Sequence, residues 1–271
     1  MIDFAFVSNA ISANSLLGKA IRAPLSLVPP GLQVRIVQGP LRGFRWIIGS
    51  GTHQQWLGTF ERFKQEIFCE MVGKGDTVLD IGAHVGYFTL LASRLVGEHG
   101  RVLAVEPSPR NYRYLQTHLR LNGIVNVTTI QAAVSECAGT EPFAEGECHL
   151  GGSFSEKGRT TVSVLRLDDL YESGAIESPR VIKMDIEGAE YRALLGAKKI
   201  ITEHRPVIIL ETHGQEMREA CAGLLQGFGY RLELLPTQLP EFVEMVAKPH
   251  GSAGESGLFG AGPGNKQSWC S

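Results

Sequence analysis

From Thr77 onward the chain alternates short apolar runs with stretches of helical spacing, and that order leaves few folds open. Residues 77–81, 102–105 and 125–130 read as strands, while residues 87–95 and 109–121 between them read as helices. Strand–helix–strand repeats with such short connections predict a parallel sheet covered by helices on both faces. After a loop-rich stretch over residues 135–159, a further strand is expected at 161–165, then a strand at 181–184, a helix at 189–201 and a strand at 207–210. The 181–184 and 207–210 runs are largely apolar on both faces, as buried central strands are. A helix at 215–226 and strands at 230–234 and 242–247 complete the expected α/β core, residues 73–249.

Upstream, Pro29, Pro30 and Gly31 break an apolar opening segment of weak helical periodicity. Residues 32–37 and 44–48 then alternate around Gly39-Pro40 and Gly43, which predicts a β-hairpin. Phe60, Phe63, Ile67, Phe68, Met71 and Val72 recur at helical spacing and are followed by Gly73, so a helix is expected over residues 59–72. Residues 1–72 are thus expected to be an extension packed on the core. Residues 250–271, dominated by Gly, Ser and Ala, are expected to be a disordered tail.

Charge excludes some partners. Lys plus Arg number 26 and Asp plus Glu 28, a net charge of −2, so there is no broad field to attract nucleic acid or an anionic membrane. No apolar run approaches the roughly 20 residues needed to span a bilayer. Asp3 stands where a secretion signal would carry Lys or Arg. Lys19 and Arg22 are too few to draw residues 1–30 strongly to lipid. The five cysteines are widely spaced, without zinc or redox patterns, and reduced thiols in a cytoplasmic protein are expected. Self-association is left open by all of this.

The strongest site signal is Asp80-Ile81-Gly82-Ala83-His84-Val85-Gly86, where an apolar strand ends in a glycine turn leading into a helix. In an open parallel sheet, ligands sit in the crevice past the strand C-termini. Gly82 and Gly86 allow close backbone approach there, and Asp80 brings a carboxylate. The spacing lacks the Gly-x-Gly-x-x-Gly of a pyrophosphate site, and no Gly-Lys-Ser/Thr follows. Glu106 ends the next strand twenty residues after Gly86, where a carboxylate can take both hydroxyls of a ribose. An adenosine ligand without phosphate fits best, and S-adenosyl-L-methionine is one.

With Leu57-Gly58-Thr59-Phe60-Glu61, Glu106-Pro107-Ser108-Pro109, Gln131-Ala132-Ala133-Val134-Ser135, Leu167-Asp168-Asp169-Leu170, Lys183-Met184-Asp185-Ile186-Glu187-Gly188-Ala189-Glu190 and Arg205-Pro206 in order along the chain, the sequence resembles the FkbM family of S-adenosylmethionine-dependent O-methyltransferases. The resemblance implies a seven-stranded, mostly parallel, Rossmann-like methyltransferase sheet with helices on both faces. It also implies that Asp80, Gly82, Ala83 and Gly86 line the methionine and ribose part of the cofactor. Glu106 would hold the ribose hydroxyls, Pro107 with Gln131, Ala132 and Ala133 would border adenine, and Glu61 would face the methionine amine. His84 stands where the family commonly has Asn, and the backbone role of that position is unaffected.

Methyl transfer from a sulfonium is an in-line displacement, so alignment and exclusion of water matter most, and an alcohol acceptor must also lose a proton. Candidates at strand ends are Asp185, Glu187 and His213, the last as a general base with an ordinary pKa of about 6.5. Glu187 and Glu190 are expected to share one face of a helix start, where helix capping accounts for either equally well. His149 is a weaker candidate to touch substrate. A metal on Asp185, Glu187 and Glu211 is conceivable on ligand type, but no spacing demands one and none is expected. The expected acceptor is a hydroxyl of a small metabolite or a glycan. RNA ribose methylation and a non-catalytic binding protein that retains the fold are the alternatives.

Overall fold

The computed structural model describes residues 28–145, 152–154, 158, 160–235 and 242–251. Residues 1–27, His149 and the expected tail beyond Gly251 lie outside the described residues.

Strand alternation builds two apolar layers on one sheet. The strands are β1 (Gln33–Arg35), β2 (Arg45–Ile47), β3 (Thr77–Ile81), β4 (Arg101–Val105), β5 (Val127–Ile130), β6 (Ala133–Val134), β7 (Gly139–Glu145), β8 (Gly152–Phe154), β9 (Thr160–Leu165), β10 (Val181–Met184), β11 (Val207–His213), β12 (Tyr230–Leu234) and β13 (Phe242–Pro249). The helices are α1 (His53–Leu57), α2 (Arg62–Met71), α3 (Tyr87–Val96), α4 (Pro109–Leu121), α5 (Leu167–Glu172), α6 (Glu190–Gly196), α7 (Lys198–His204) and α8 (Gln215–Gly227). The main sheet runs β12-β13-β11-β10-β3-β4-β5. It is parallel except for β13, which inserts antiparallel between β11 and β12.

Val78, Val102, Ala104 and Val181 face one side of this sheet and pack with Leu90, Leu91, Leu115, Phe68 and Trp46 from α3, α4, α2 and the hairpin. Leu79, Ile81, Ile182, Met184 and Leu210 face the other side and meet Leu167, Leu194, Ile200 and Leu225 from α5 to α8. Helices on both faces follow, and the mixed α/β, Rossmann-like architecture is as expected. Lys183, between Ile182 and Met184, points with Asp80 toward the α3 side, and the β10–β3 register sets the two opposite each other.

The hairpin forms, with β1 and β2 antiparallel. It is clasped to α4 by His118, which stacks on Trp46 at 3.8 Å and accepts the Ile47 N–H at its Nε2, 3.1 Å away. Burial pushes His118 down to about 4. The opposite ring nitrogen lies 2.8 Å from the Val85 carbonyl, so the neutral ring serves both contacts.

Three expectations are corrected. The helix expected at 189–201 is two, broken at Ala197, because Gly196 packs on the backbone of Ser135 and the buried Asp168 carboxylate accepts the Lys199 and Ile200 N–H groups that open α7. The helix expected from residue 59 begins at Arg62 and is preceded by α1. The stretch taken as loop contains β7 and β8, which join β6 and β9 in a second sheet of order β6-β9-β7-β8.

Candidate methyl-transfer cleft

The strand order reverses at β3: β4 and β5 lie on one side, β10 and β11 on the other. Crevices open at such points. Here the C-terminal ends of these strands open on a cleft of about 260 Å³. Gly82 ends β3 with φ +78°, and a Cβ there would stand 1.9 Å from the Asp185 carbonyl oxygen, so only glycine lets the two loops pass. The Gly82 and Ala83 N–H groups both donate to the Val105 carbonyl, at 2.9 and 3.0 Å. His84, also at positive φ, donates its N–H to Glu106 Oε2 at 2.8 Å, and Ser108 N–H donates to Oε1 at 3.0 Å. Burial nevertheless dominates and pushes Glu106 up to about 7.

Behind the glycine turn, Asp80 is wholly buried. Its Oδ2 accepts from Thr89 Oγ1 at 2.6 Å, and its Oδ1 lies 3.3 Å from Lys183 Nζ. Lys183 Nζ in turn donates to the Gly82 carbonyl. Asp80 therefore braces the turn from behind rather than facing the cleft. Gly86 opens α3 with φ +94°, and a Cβ there would meet Leu115, so its bareness serves the packing of α3 on α4.

On the other side of the cleft, Lys64 from α2 is buried at 2% exposure among carboxylates. Its Nζ lies 2.6 Å from Glu211, 2.7 Å from Glu61, 2.9 Å from Glu244 and 3.8 Å from Asp185. Burial works against its charge, but those four acids prevail and raise its pKa. Burial likewise opposes ionisation of Asp185, yet Lys64 and Lys183, with smaller help from His213 and His84, hold it below its ordinary value. Burial and the neighbouring Asp185 push Glu211 up to about 7 against the pull of Lys64. Glu61 is raised mainly by burial, opposed by Lys64.

His213 ends β11 with Nδ1 3.0 Å from Glu190 Oε1, Nε2 3.2 Å from Glu187 Oε2, and Glu211 Oε1 at 3.9 Å. Burial disfavours its charge, but the hydrogen bond to Glu190 and the charges of Glu187, Glu190 and Asp185 win and push it up to about 9. Both ring nitrogens therefore face carboxylates, which favours the charged ring over the base with an ordinary pKa near 6.5 expected from the sequence. Glu187 and Glu190 do not share a helix face. Glu187 precedes α6 at φ +53°, while Glu190 is fully buried and accepts the Gly188 N–H at 3.0 Å. One ligand atom each from Asp185, Glu211 and His213 lie within 4.8 Å of one another, close enough in spacing for a metal ion.

Of the residues singled out in the sequence, Glu61, Gly82, Ala83, Glu106 and Pro107 line the cleft, as do Ala132, Ala133, Asp185 and Glu187. Asp80, Gly86 and His213 stand outside its lining, and Gln131 is exposed. Sequence reading missed Lys64, and the signal was there: a lysine one turn after Phe60 and one turn before Phe68, on the apolar face of its helix. It also missed Gln55, Phe143 and Phe154, which line the cleft from α1, β7 and β8. Gln55 is 1% exposed and its Oε1 has no hydrogen-bond partner.

These features fit S-adenosyl-L-methionine. The unpartnered Gln55 oxygen and the Glu106 carboxylate are acceptors on the wall of one cleft, and the ligand brings donors in its ribose hydroxyls and its ammonium. The molecule supplies an activated methyl group on a sulfonium.

Over 146 residues, the chain is 26% identical to the hexuronic acid methyltransferase AglP of Haloferax volcanii, covering 53% of this chain and 59% of that protein. Over 100 residues it is 37% identical to the ubiquinone/menaquinone biosynthesis C-methyltransferase UbiE of Klebsiella pneumoniae, covering 36% of each. The chain thus spans less than two thirds of the length of these curated relatives. Among solved structures, the FkbM methyltransferase of Methylobacillus flagellatus matches with a TM-score of 0.49 at 21% identity, over 70% of this chain and 51% of that one. The FkbM methyltransferase domain matches residues 80–246, more than half of the sequence. The chain therefore belongs to the FkbM methyltransferase family, whose methyl donor is S-adenosyl-L-methionine.

Proposed function

We propose that this protein is an S-adenosyl-L-methionine-dependent O-methyltransferase acting on a hydroxyl of a small metabolite or sugar. The observation that carries the reading is Glu106, a buried carboxylate oriented by two backbone N–H groups on the wall of the cleft that Gly82 opens. In this reading Glu106 accepts the two ribose hydroxyls, the backbone of Gly82, Ala83 and His84 lies against the nucleoside, and Glu61 takes the methionine ammonium. AglP, named for a sugar acid acceptor, supports a carbohydrate acceptor.

Held by Glu106, Glu61 and the Gly82–His84 backbone, the donor would supply its methyl carbon to the acceptor oxygen, the carbon–sulfur bond giving way to the new carbon–oxygen bond and the sulfonium becoming the thioether of S-adenosylhomocysteine. The hydroxyl proton passes to a carboxylate of the cleft. Asp185 is held ionised by two lysines and is a weak base, whereas Glu211, near 7, is matched to taking a proton at neutral pH. Asp185 and Glu187 orient the acceptor, and the charged His213 fixes Glu187. The site mainly aligns the three atoms of the displacement and excludes water.

Calorimetry with S-adenosylhomocysteine tests the donor half, and transfer of a labelled methyl group to neutral, amino and acidic sugars tests the acceptor half. Absence of S-adenosylhomocysteine binding by the folded protein removes the assignment.

A further inference from the structure

The Asp185–Glu211–His213 group has the spacing of a cation site, and Glu61 and Glu244 add two more carboxylates beside it. Hard divalent cations seek such oxygens. Yet the helix that precedes the core sends a lysine into this space. Lys64 Nζ lies 2.6 Å from Glu211 Oε2 and 3.8 Å from Asp185 Oδ2, and Lys183 Nζ approaches that same Asp185 oxygen at 3.9 Å. The remaining ligand, His213, has Nδ1 on Glu190 and Nε2 on Glu187. Every member of the group is therefore engaged by a charged side chain of the protein itself.

We propose that the ammonium of Lys64 is the resident cation of this centre: it occupies the place a divalent ion would take beside Asp185 and Glu211, and it fixes Glu211 by one oxygen. Resting on the methyl-transfer reading given above, this makes Lys64 a positioning residue and the centre independent of divalent metal. The Glu211 oxygen away from Lys64 meets only the more distant His213, at 3.9 Å, and is the one we assign to the acceptor hydroxyl. An ammonium held by four carboxylates cannot share its space with a second positive charge at metal–oxygen distances, because the repulsion is not screened in a buried site.

The experiment is a titration of the full chain with Mn²⁺ alone, by calorimetry and electron paramagnetic resonance, with neither donor nor acceptor present. Wild type is expected to show no binding below about 1 mM. The charge-balanced double variant Lys64→Ala, Glu244→Gln, folded by circular dichroism, is expected to bind one Mn²⁺ at least about tenfold more tightly, and Lys64→Arg is expected to keep it out. Micromolar Mn²⁺ binding by wild type that Glu211→Gln abolishes would overturn the proposal, as would a folded double variant that still excludes the ion. If the double variant does not fold, Lys64→Gln carries the same comparison and the wild-type arm decides by itself. S-adenosylhomocysteine binding is measured separately, so loss of the methyltransferase reading and loss of this proposal give different results.

Discussion

Lys183 Nζ donates to the Gly82 carbonyl oxygen at 2.9 Å, so a side chain on β10 holds the turn that ends β3. The same nitrogen stands 3.3 Å from the buried Asp80. Removing it leaves Asp80 as a lone charge in the core, which in such pairs costs about 3–5 kcal/mol. Lys183→Met is expected to lose stability on that scale in urea denaturation, together with affinity for S-adenosylhomocysteine. A loss below about 1 kcal/mol would mean that the pair is dispensable.

Gly82→Ala places a methyl group against a backbone carbonyl, in a left-handed conformation that alanine resists. The closest atoms are the backbone carbonyl of Asp185, not a flexible side-chain tip. A penalty of about 1–3 kcal/mol from the backbone conformation alone is expected, with at least tenfold weaker donor binding because the turn must move. Gly86→Ala is a useful companion, since it presses on Leu115 instead. Its thermal stability is expected to fall while donor affinity per folded molecule changes little.

Glu106 must be ionised to accept two ribose hydroxyls, and burial has raised it to about 7. Affinity for S-adenosylhomocysteine is therefore expected to rise with pH through about 7 and level off above it. Glu106→Gln should bind more weakly and lose that dependence. A wild-type profile that is flat between pH 5.5 and 8.5 would remove the ribose role.

His213 is raised from about 6.5 to about 9, a base whose folded pKa exceeds its unfolded one. Its contribution to stability is thus fully present below about 6.5 and fades as pH climbs through about 9. With partial exposure of the ring taken into account, the effect is about 2 kcal/mol. Wild type is expected to lose more stability than His213→Gln between pH 6 and 10. An imidazole titrating near 6.5 by nuclear magnetic resonance would contradict the carboxylate cage.

What could be read in the sequence follows from how local its cause is. Gly82, Glu106 and Asp185 sit at the ends of strands whose apolar patterns are strong, so strand order alone brings them to one crevice. The side sheet was not legible because β7 turns few large apolar residues inward: Phe143 is the one that joins Ala133, Val162 and Val164 in the small core beneath it. The charge state of His213 was not legible either, because Glu187 and Glu190 come from a different strand end and meet it only in the fold. Lys64 was half-legible, a polar residue on an apolar helix face with Glu61 one turn away but its other carboxylate partners, Asp185, Glu211 and Glu244, far along the chain.

The cleft is shared among parts with separate histories of contact. Its nucleoside-facing wall is built from turns of the central sheet, whereas Phe143 and Phe154 reach it from strands that hydrogen-bond to none of that sheet. Substitutions in β7 and β8 can thus reshape one wall of the cleft without touching a hydrogen bond of the central sheet.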